Sequence, residues 1–110
     1  MHLKYTILYV ENVAESLDFF CKAFGFKVKV LHESGQYGEL DTGATSLSFS
    51  SLSLMNDLGK SPGQPDPKAP VFEIAFETDD VDGALKRAIR AGATLVQDVR
   101  DEPWGQTTSY

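Results

Sequence analysis

Cysteine is almost missing from this chain. Cys21 stands alone, so no disulfide can close within the 110 residues and no cysteine-based zinc cluster can assemble. Histidine is scarce as well: His2 and His32 are the only two, without ligand-like spacing, and read as surface residues. Cations are outnumbered, ten Lys and Arg against sixteen Asp and Glu, for a net charge of −6. A nucleic-acid backbone needs clustered cations, so no nucleic-acid partner is expected. The negative balance instead favours, weakly, a cationic ligand through long-range steering. No apolar run reaches the length of a bilayer span, and no basic leader with a cleavage site precedes the first apolar stretch. The reading is a cytoplasmic protein with no membrane partner. A phosphate-cradling glycine loop, a nucleophile elbow and a paired Ser-His-Asp arrangement are all lacking.

What is present suits one domain over residues 1–110. Hydrophobic residues make up 42% of the chain and charged ones 24%, an ordinary globular mixture. A chain of this length buries roughly two-thirds of its unfolded surface, enough for one core without staples.

The pattern along the chain is α+β. LKYTILYV (3–10) is β-branched and aromatic enough for a strand. Asn12 with Glu15 forms a helix-start signal, and Val13, Leu17, Phe20, Cys21 and Phe24 then recur as one apolar helical stripe up to Gly25. Three alternating runs follow at 26–33, 37–42 and 45–52, parted by Ser34-Gly35 and Gly43-Ala44, which predicts strands joined by tight turns. The first module, residues 1–55, is therefore βαβββ. Residues 56–70 hold four of the five prolines and read as a linker. The second module, 71–110, starts the pattern again. VFEIAFET (71–78) reads as a strand, and Asp79 or Asp80 as a helix cap. Val81, Leu85, Ala88 and Ile89 form a stripe ended by Gly92, ATLVQDV (93–99) reads as a strand, and Pro103-Trp104-Gly105 as a turn before QTTSY.

The two modules form an internal repeat: Val81 and Leu85 stand 68 residues after Val13 and Leu17. The same offset carries the strand at 45–52 to 113–120, beyond Tyr110, so the last strand of the second module is apparently missing.

A repeated βαβββ module, with YTILYVENVAESLDFFCKAFGFKV opening the first copy, FEIAFETDDVDGALKRAIRAGA the second and DEPWGQTTSY leading toward its last strands, resembles the glyoxalase, bleomycin-resistance and dioxygenase (vicinal oxygen chelate) superfamily. The resemblance runs over essentially the whole chain. It implies two half-cups facing each other around one small-molecule site. In metal-binding members, ligands sit on the first and last strand of each module. Carried over, those positions are Tyr5, Ser48 and Glu73, with the fourth beyond the chain. Neutral hydroxyls hold a divalent cation weakly and one carboxylate does not suffice, so no metal and no cofactor are expected.

Strand alternation adds a picture of its own. If Tyr5 faces the cup, so do Leu3, Ile7 and Tyr9. Ser48 brings Ser46 and Ser50, leaving Leu47 and Phe49 for the core. Glu73 brings Ala75 and Glu77, leaving Phe72, Ile74 and Phe76 for the core. The alternative is an ordinary antiparallel sheet whose polar face is simply in water. Trp104, in its PWGQ turn, reads equally as a stacking platform for a flat ligand or as a plug under a loop or subunit contact. Tyr37 is open to either face. The candidate ligand-binding residues are thus Tyr5, Tyr9, Ser46, Ser48, Ser50, Glu73, Glu77 and Trp104.

Three functions compete: a bleomycin-resistance-type protein that sequesters a small, cationic or aromatic molecule; a metal-independent lyase or isomerase with Glu73 or Glu77 as general base; and a fragment whose main activity is association. A metal-dependent lyase or dioxygenase of the same superfamily is a further alternative. The open sheet edge left by the missing strand predicts a homodimer, with Gln106–Tyr110 exchanged or paired with the neighbour.

Overall fold

The computed structural model describes all of Met1–Tyr110 and divides it into two compact units. The first comprises Met1–Cys21 and Gly25–Gln64, the second Lys22–Phe24 and Pro65–Tyr110. The class is α+β.

In the first unit, β1 (Tyr5–Val10), β2 (Lys27–Leu31), β3 (Tyr37–Asp41) and β4 (Ser46–Ser51) form one mixed sheet in the order β1-β4-β3-β2. β4 pairs parallel with β1 and antiparallel with β3, which in turn pairs antiparallel with β2. Helix α1 (Val13–Phe24) supplies the crossover. The Asn12 side-chain oxygen accepts the Glu15 amide at 3.0 Å, and Gly25 closes the helix at φ 76°, the left-handed geometry that spares glycine a Cβ clash. Val13 and Leu17 of the helical stripe are buried, as are Leu40, Leu47 and Phe49 of the sheet, and the Phe20 ring lies 5.2 Å from that of Phe49. Gly38 lets the helix approach β3, because a Cβ there would lie 2.7 Å from Leu17 Cδ1.

A short helix, α2 (Leu52–Asp57), follows β4 directly, with the Ser51 hydroxyl accepting the Leu54 amide at 3.0 Å. It takes the first two residues of the stretch read as linker. Six residues are too few to show a helical period, so only the Ser51 cap could have signalled it.

In the second unit, α3 (Val81–Arg90) starts at Asp80, whose carboxylate accepts the Gly83 amide at 2.9 Å. The expected strand at 93–99 lies further along: β5 (Arg100–Asp101) pairs antiparallel with β6 (Thr107–Thr108), and Gln97 and Tyr110 exchange backbone hydrogen bonds at 2.7 and 2.9 Å. Within the single chain the segment Gln106–Tyr110 pairs with its own neighbours in sequence, and a hairpin partner a few residues away costs little loop entropy.

Residues 71–78 form no ladder. Their counterpart β1 is held only by β4. Beside residues 71–78 no such strand lies. Phe72 and Phe76, expected in the core, are consequently 64% and 39% exposed, and Phe76 rests against Phe24 at a ring separation of 4.9 Å.

Candidate functional site: a serine floor between tyrosine walls

Residues paired across a sheet point to the same side, so register defines the face opposite α1. Along β4 that face carries Ser46, Ser48 and Ser50. Tyr9 and Tyr37 flank Ser50, Ile7 and Glu39 flank Ser48, and Tyr5 flanks Ser46. The central strand thus bears only small hydroxyl side chains, while the strands on either side bear tall ones. The result is a trough with a serine floor. The height difference explains the burial: Ser46, Ser48 and Ser50 are 4%, 0% and 4% exposed, whereas Tyr5 and Tyr9 on the wall are 42% and 37% exposed.

Burial here conflicts with chemistry at one atom. Ser48 Oγ is wholly covered and makes no hydrogen bond. The Tyr37 hydroxyl lies beside it but donates to Glu39 Oε1 at 2.8 Å. Burial pushes the Tyr37 phenol above its ordinary value; the nearby Ser48 hydroxyl opposes that shift, while Glu39 and the more distant Tyr5 add to it. Tyr5, Tyr37, Glu39 and Ser48 therefore converge. A buried hydroxyl without a partner costs about 1–3 kcal/mol, a penalty folding tolerates where something else will satisfy the group.

Five of the sequence-derived site residues, Tyr5, Tyr9, Ser46, Ser48 and Ser50, come together on this face. Two members were missed. Tyr37 had been left undirected and Glu39 unnamed, although Leu40 in the core sets the parity of β3 and turns both toward the serines. Glu73, Glu77 and Trp104 belong to the second unit. There Glu73 and Glu77 are exposed on the unpaired segment. Trp104 is 69% exposed and donates its indole N–H to Gln106 Oε1 at 2.8 Å, within its own turn.

The hydroxyls of Tyr5 and Ser48 do not suit a divalent cation. No group of three or more His, Cys, Asp or Glu side chains gathers anywhere in the chain. No helix is long and apolar enough to cross a membrane.

The chain belongs to the Glyoxalase/Bleomycin resistance protein/Dioxygenase superfamily, whose family pattern it matches over residues 2–110. It is 31% identical over 103 residues to an uncharacterized protein of Mycobacterium bovis, covering 89% of this chain and 67% of that one. The same identity relates it to an uncharacterized protein of Mycobacterium tuberculosis, of whose length it spans 60%. Among solved structures, a glyoxalase/bleomycin resistance protein/dioxygenase family enzyme from Burkholderia phytofirmans shares the fold with a TM-score of 0.75 at 21% identity, over 99% of this chain and 87% of that one. An integron cassette protein of Vibrio cholerae does so with a TM-score of 0.62 at 24% identity, over 100% of this chain and 84% of that one.

Proposed function

We propose that this chain binds a small organic molecule in the serine-floored trough, without a metal, in the manner of a sequestering protein rather than a metalloenzyme. The observation that carries the reading is Ser48 Oγ: a buried hydroxyl with no partner, at the centre of a concave polar face with aromatic walls. The enzymatic alternative, with Glu73 as general base, has less support, because Glu73 is exposed and lacks the burial that tunes a carboxylate for proton abstraction. A thermal-shift screen with cationic planar antibiotics, α-ketoaldehyde thiol adducts and aromatic diols tests the reading. Stabilisation by a compound, lost in Ser48→Val, supports it; metal-dependent turnover of an adduct or diol, with close to one metal ion per chain by elemental analysis, overturns it.

We further propose that the chain works as a homodimer. Large apolar side chains are exposed in each unit: Ile7, Val28 and Leu31 in the first, Val71, Phe72 and Val96 in the second. Light scattering that returns a clean 12.1 kDa monomer at high concentration refutes this.

A further inference from the structure

Alternation along the strands turns Leu8 and Val10 of β1, and Phe49 of β4, away from the trough and toward α1. Leu8 and Phe49 stand opposite each other in the ladder, and β1 is the last strand of its sheet. Phe19 and Phe20 reach the same place from α1. The Phe20 ring lies 5.2 Å from that of Phe49 and 5.4 Å from that of Phe19. Between β1 and the helix these five side chains line a cavity of about 330 Å³, a size at which small-molecule sites begin. Phe49 is buried, but Leu8, Val10, Phe19 and Phe20 are only half-buried, so their apolar surface is open to a ligand.

The rim of this cavity is acidic. Glu11 and Glu15 are exposed there, and neither carboxylate has an ion pair or a hydrogen bond. No Lys, Arg or His lines the cavity. The first turn of α1 lies beside them and contributes about half a positive charge through the helix dipole. Two full carboxylate charges outweigh it, so the rim repels anions and attracts cations.

We propose that this cavity is a second ligand site, separate from the trough, for an arylalkylammonium. An aromatic ring sits against Leu8, Phe20 and Phe49, and a short tether carries the ammonium to Glu11 and Glu15. The ring is preferred to an alkyl chain because Phe19 and Phe20 already meet edge to face, at 89°, and another ring extends that arrangement. The tether follows from the helix: Glu15 and Phe19 are one turn apart, about 6 Å along the axis, so one molecule of that reach meets both. The carboxylates stand in water, where an ion pair is worth little. Apolar contact therefore supplies most of the affinity, and charge selects among ring-bearing ligands. The site owes nothing to Ser48 and stands or falls independently of the trough.

Three probes separate these contributions. 2-Phenylethylammonium carries ring and charge, 2-phenylethanol keeps the ring without the charge, and propylammonium keeps the charge without the ring. Each is titrated into the full chain up to about 10 mM, above a Kd of about 1 mM, with backbone amide NMR shifts as the readout. Phenylethylammonium is expected to bind about fivefold more tightly than phenylethanol, with shifts concentrated at Leu8–Phe20 and Phe49. Propylammonium should bind at least about tenfold more weakly than phenylethylammonium. In the double variant Glu11→Gln, Glu15→Gln, both substitutions being at exposed positions, the preference for charge should vanish while phenylethanol binds as before. Ser16→Leu, at a half-buried position in the lining, should fill the cavity and weaken both ring-bearing probes at least about tenfold, with the amide spectrum still that of a folded chain. Equal affinity for phenylethylammonium and phenylethanol overturns the choice of a cation, and equal affinity for phenylethylammonium and propylammonium overturns the choice of a ring. Shifts confined to other residues, or no binding of any probe, overturn the site itself. Shifts at Leu8–Phe20 that grow with protein concentration and are unaffected by the probes mean that a second copy covers the cavity, and overturn it as well.

Discussion

Gly38 couples the packing of the first unit to its trough, and replacing it with alanine isolates that coupling. The added Cβ would stand 2.7 Å from Leu17 Cδ1, 3.1 Å from Val13 Cγ1 and 3.2 Å from the Val30 carbonyl oxygen. Leu17 and Val13 are 2% and 1% exposed, so neither has an open direction in which to swing. The Val30 oxygen is backbone and cannot rotate away. Overpacking of this kind costs about 1–3 kcal/mol, offset by about 0.5–1 kcal/mol because alanine loses less backbone entropy than glycine in a strand. A net loss of about 0.5–2 kcal/mol is expected, since the two effects oppose. For 110 residues each kcal/mol lowers Tm by about 4 °C, so Gly38→Ala should melt about 2–8 °C below the parent. Circular dichroism melts and urea titrations read this directly. The decisive arm is the double variant with Leu17→Ala: removing Cδ1 creates the space the new methyl needs, so the two losses should be strongly non-additive. A melting point at or above the parent value, or simple additivity with Leu17→Ala, would refute the argument. Because Tyr37 and Glu39 flank Gly38, any shift of β3 also moves two wall residues, and ligand affinity should fall with stability.

Further outcomes follow from the same contacts. Ser48→Ala should leave stability unchanged or raise it by up to about 1 kcal/mol, since the lost hydroxyl has no partner; a clear loss in urea titrations would mean the hydroxyl is satisfied in solution. Glu73→Gln should change stability by less than about 1 kcal/mol, as for an exposed site away from the core, and a larger change would make Glu73 structural. The hydrogen bond from Arg100, then that from Thr108, lower the Glu102 carboxyl below its ordinary value of 4.5. Its contribution is complete above that ordinary value and is lost as pH falls through the depressed one. Glu102→Gln should therefore lose stability less steeply below about pH 4.5 than the parent, and identical acid limbs would count against this role.

How much could be read from residue order differed between the modules, and for a physical reason. Asn12, the Val13 and Leu17 stripe and Gly25 carry the helix locally, each by a bond or a contact within a turn or two, and the structure retains them all. Alternation likewise assigned Leu47 and Phe49 to the core and the serines of β4 to the other side. It could not disclose that those serines are buried, because the cover comes from Tyr9 and Tyr37, distant in sequence and joined to Ser50 only by register. Glu39 was hidden in the same way, its partner Tyr37 being of undetermined face until Gly38 and Leu40 were seen beneath α1.

Residues 71–78 make the complementary case. VFEIAFET alternates as regularly as YTILYV, yet one forms no ladder and the other is a strand. Alternation tells which side a residue takes once a strand exists; it does not say whether a partner is present. β1 is a strand because Ser46–Ser51 runs parallel beside it and satisfies its backbone groups along six residue pairs. Without an equivalent strand, Val71 and Phe72 remain 92% and 64% exposed despite their hydrophobicity. Side-chain pattern alone therefore does not place this segment in a sheet. If a strand from a second copy supplies that pairing, the amides of 71–78 should gain protection from hydrogen exchange as protein concentration rises, while those of β1 remain unchanged. Concentration-independent exchange throughout 71–78 would exclude such pairing as the source of the dimer.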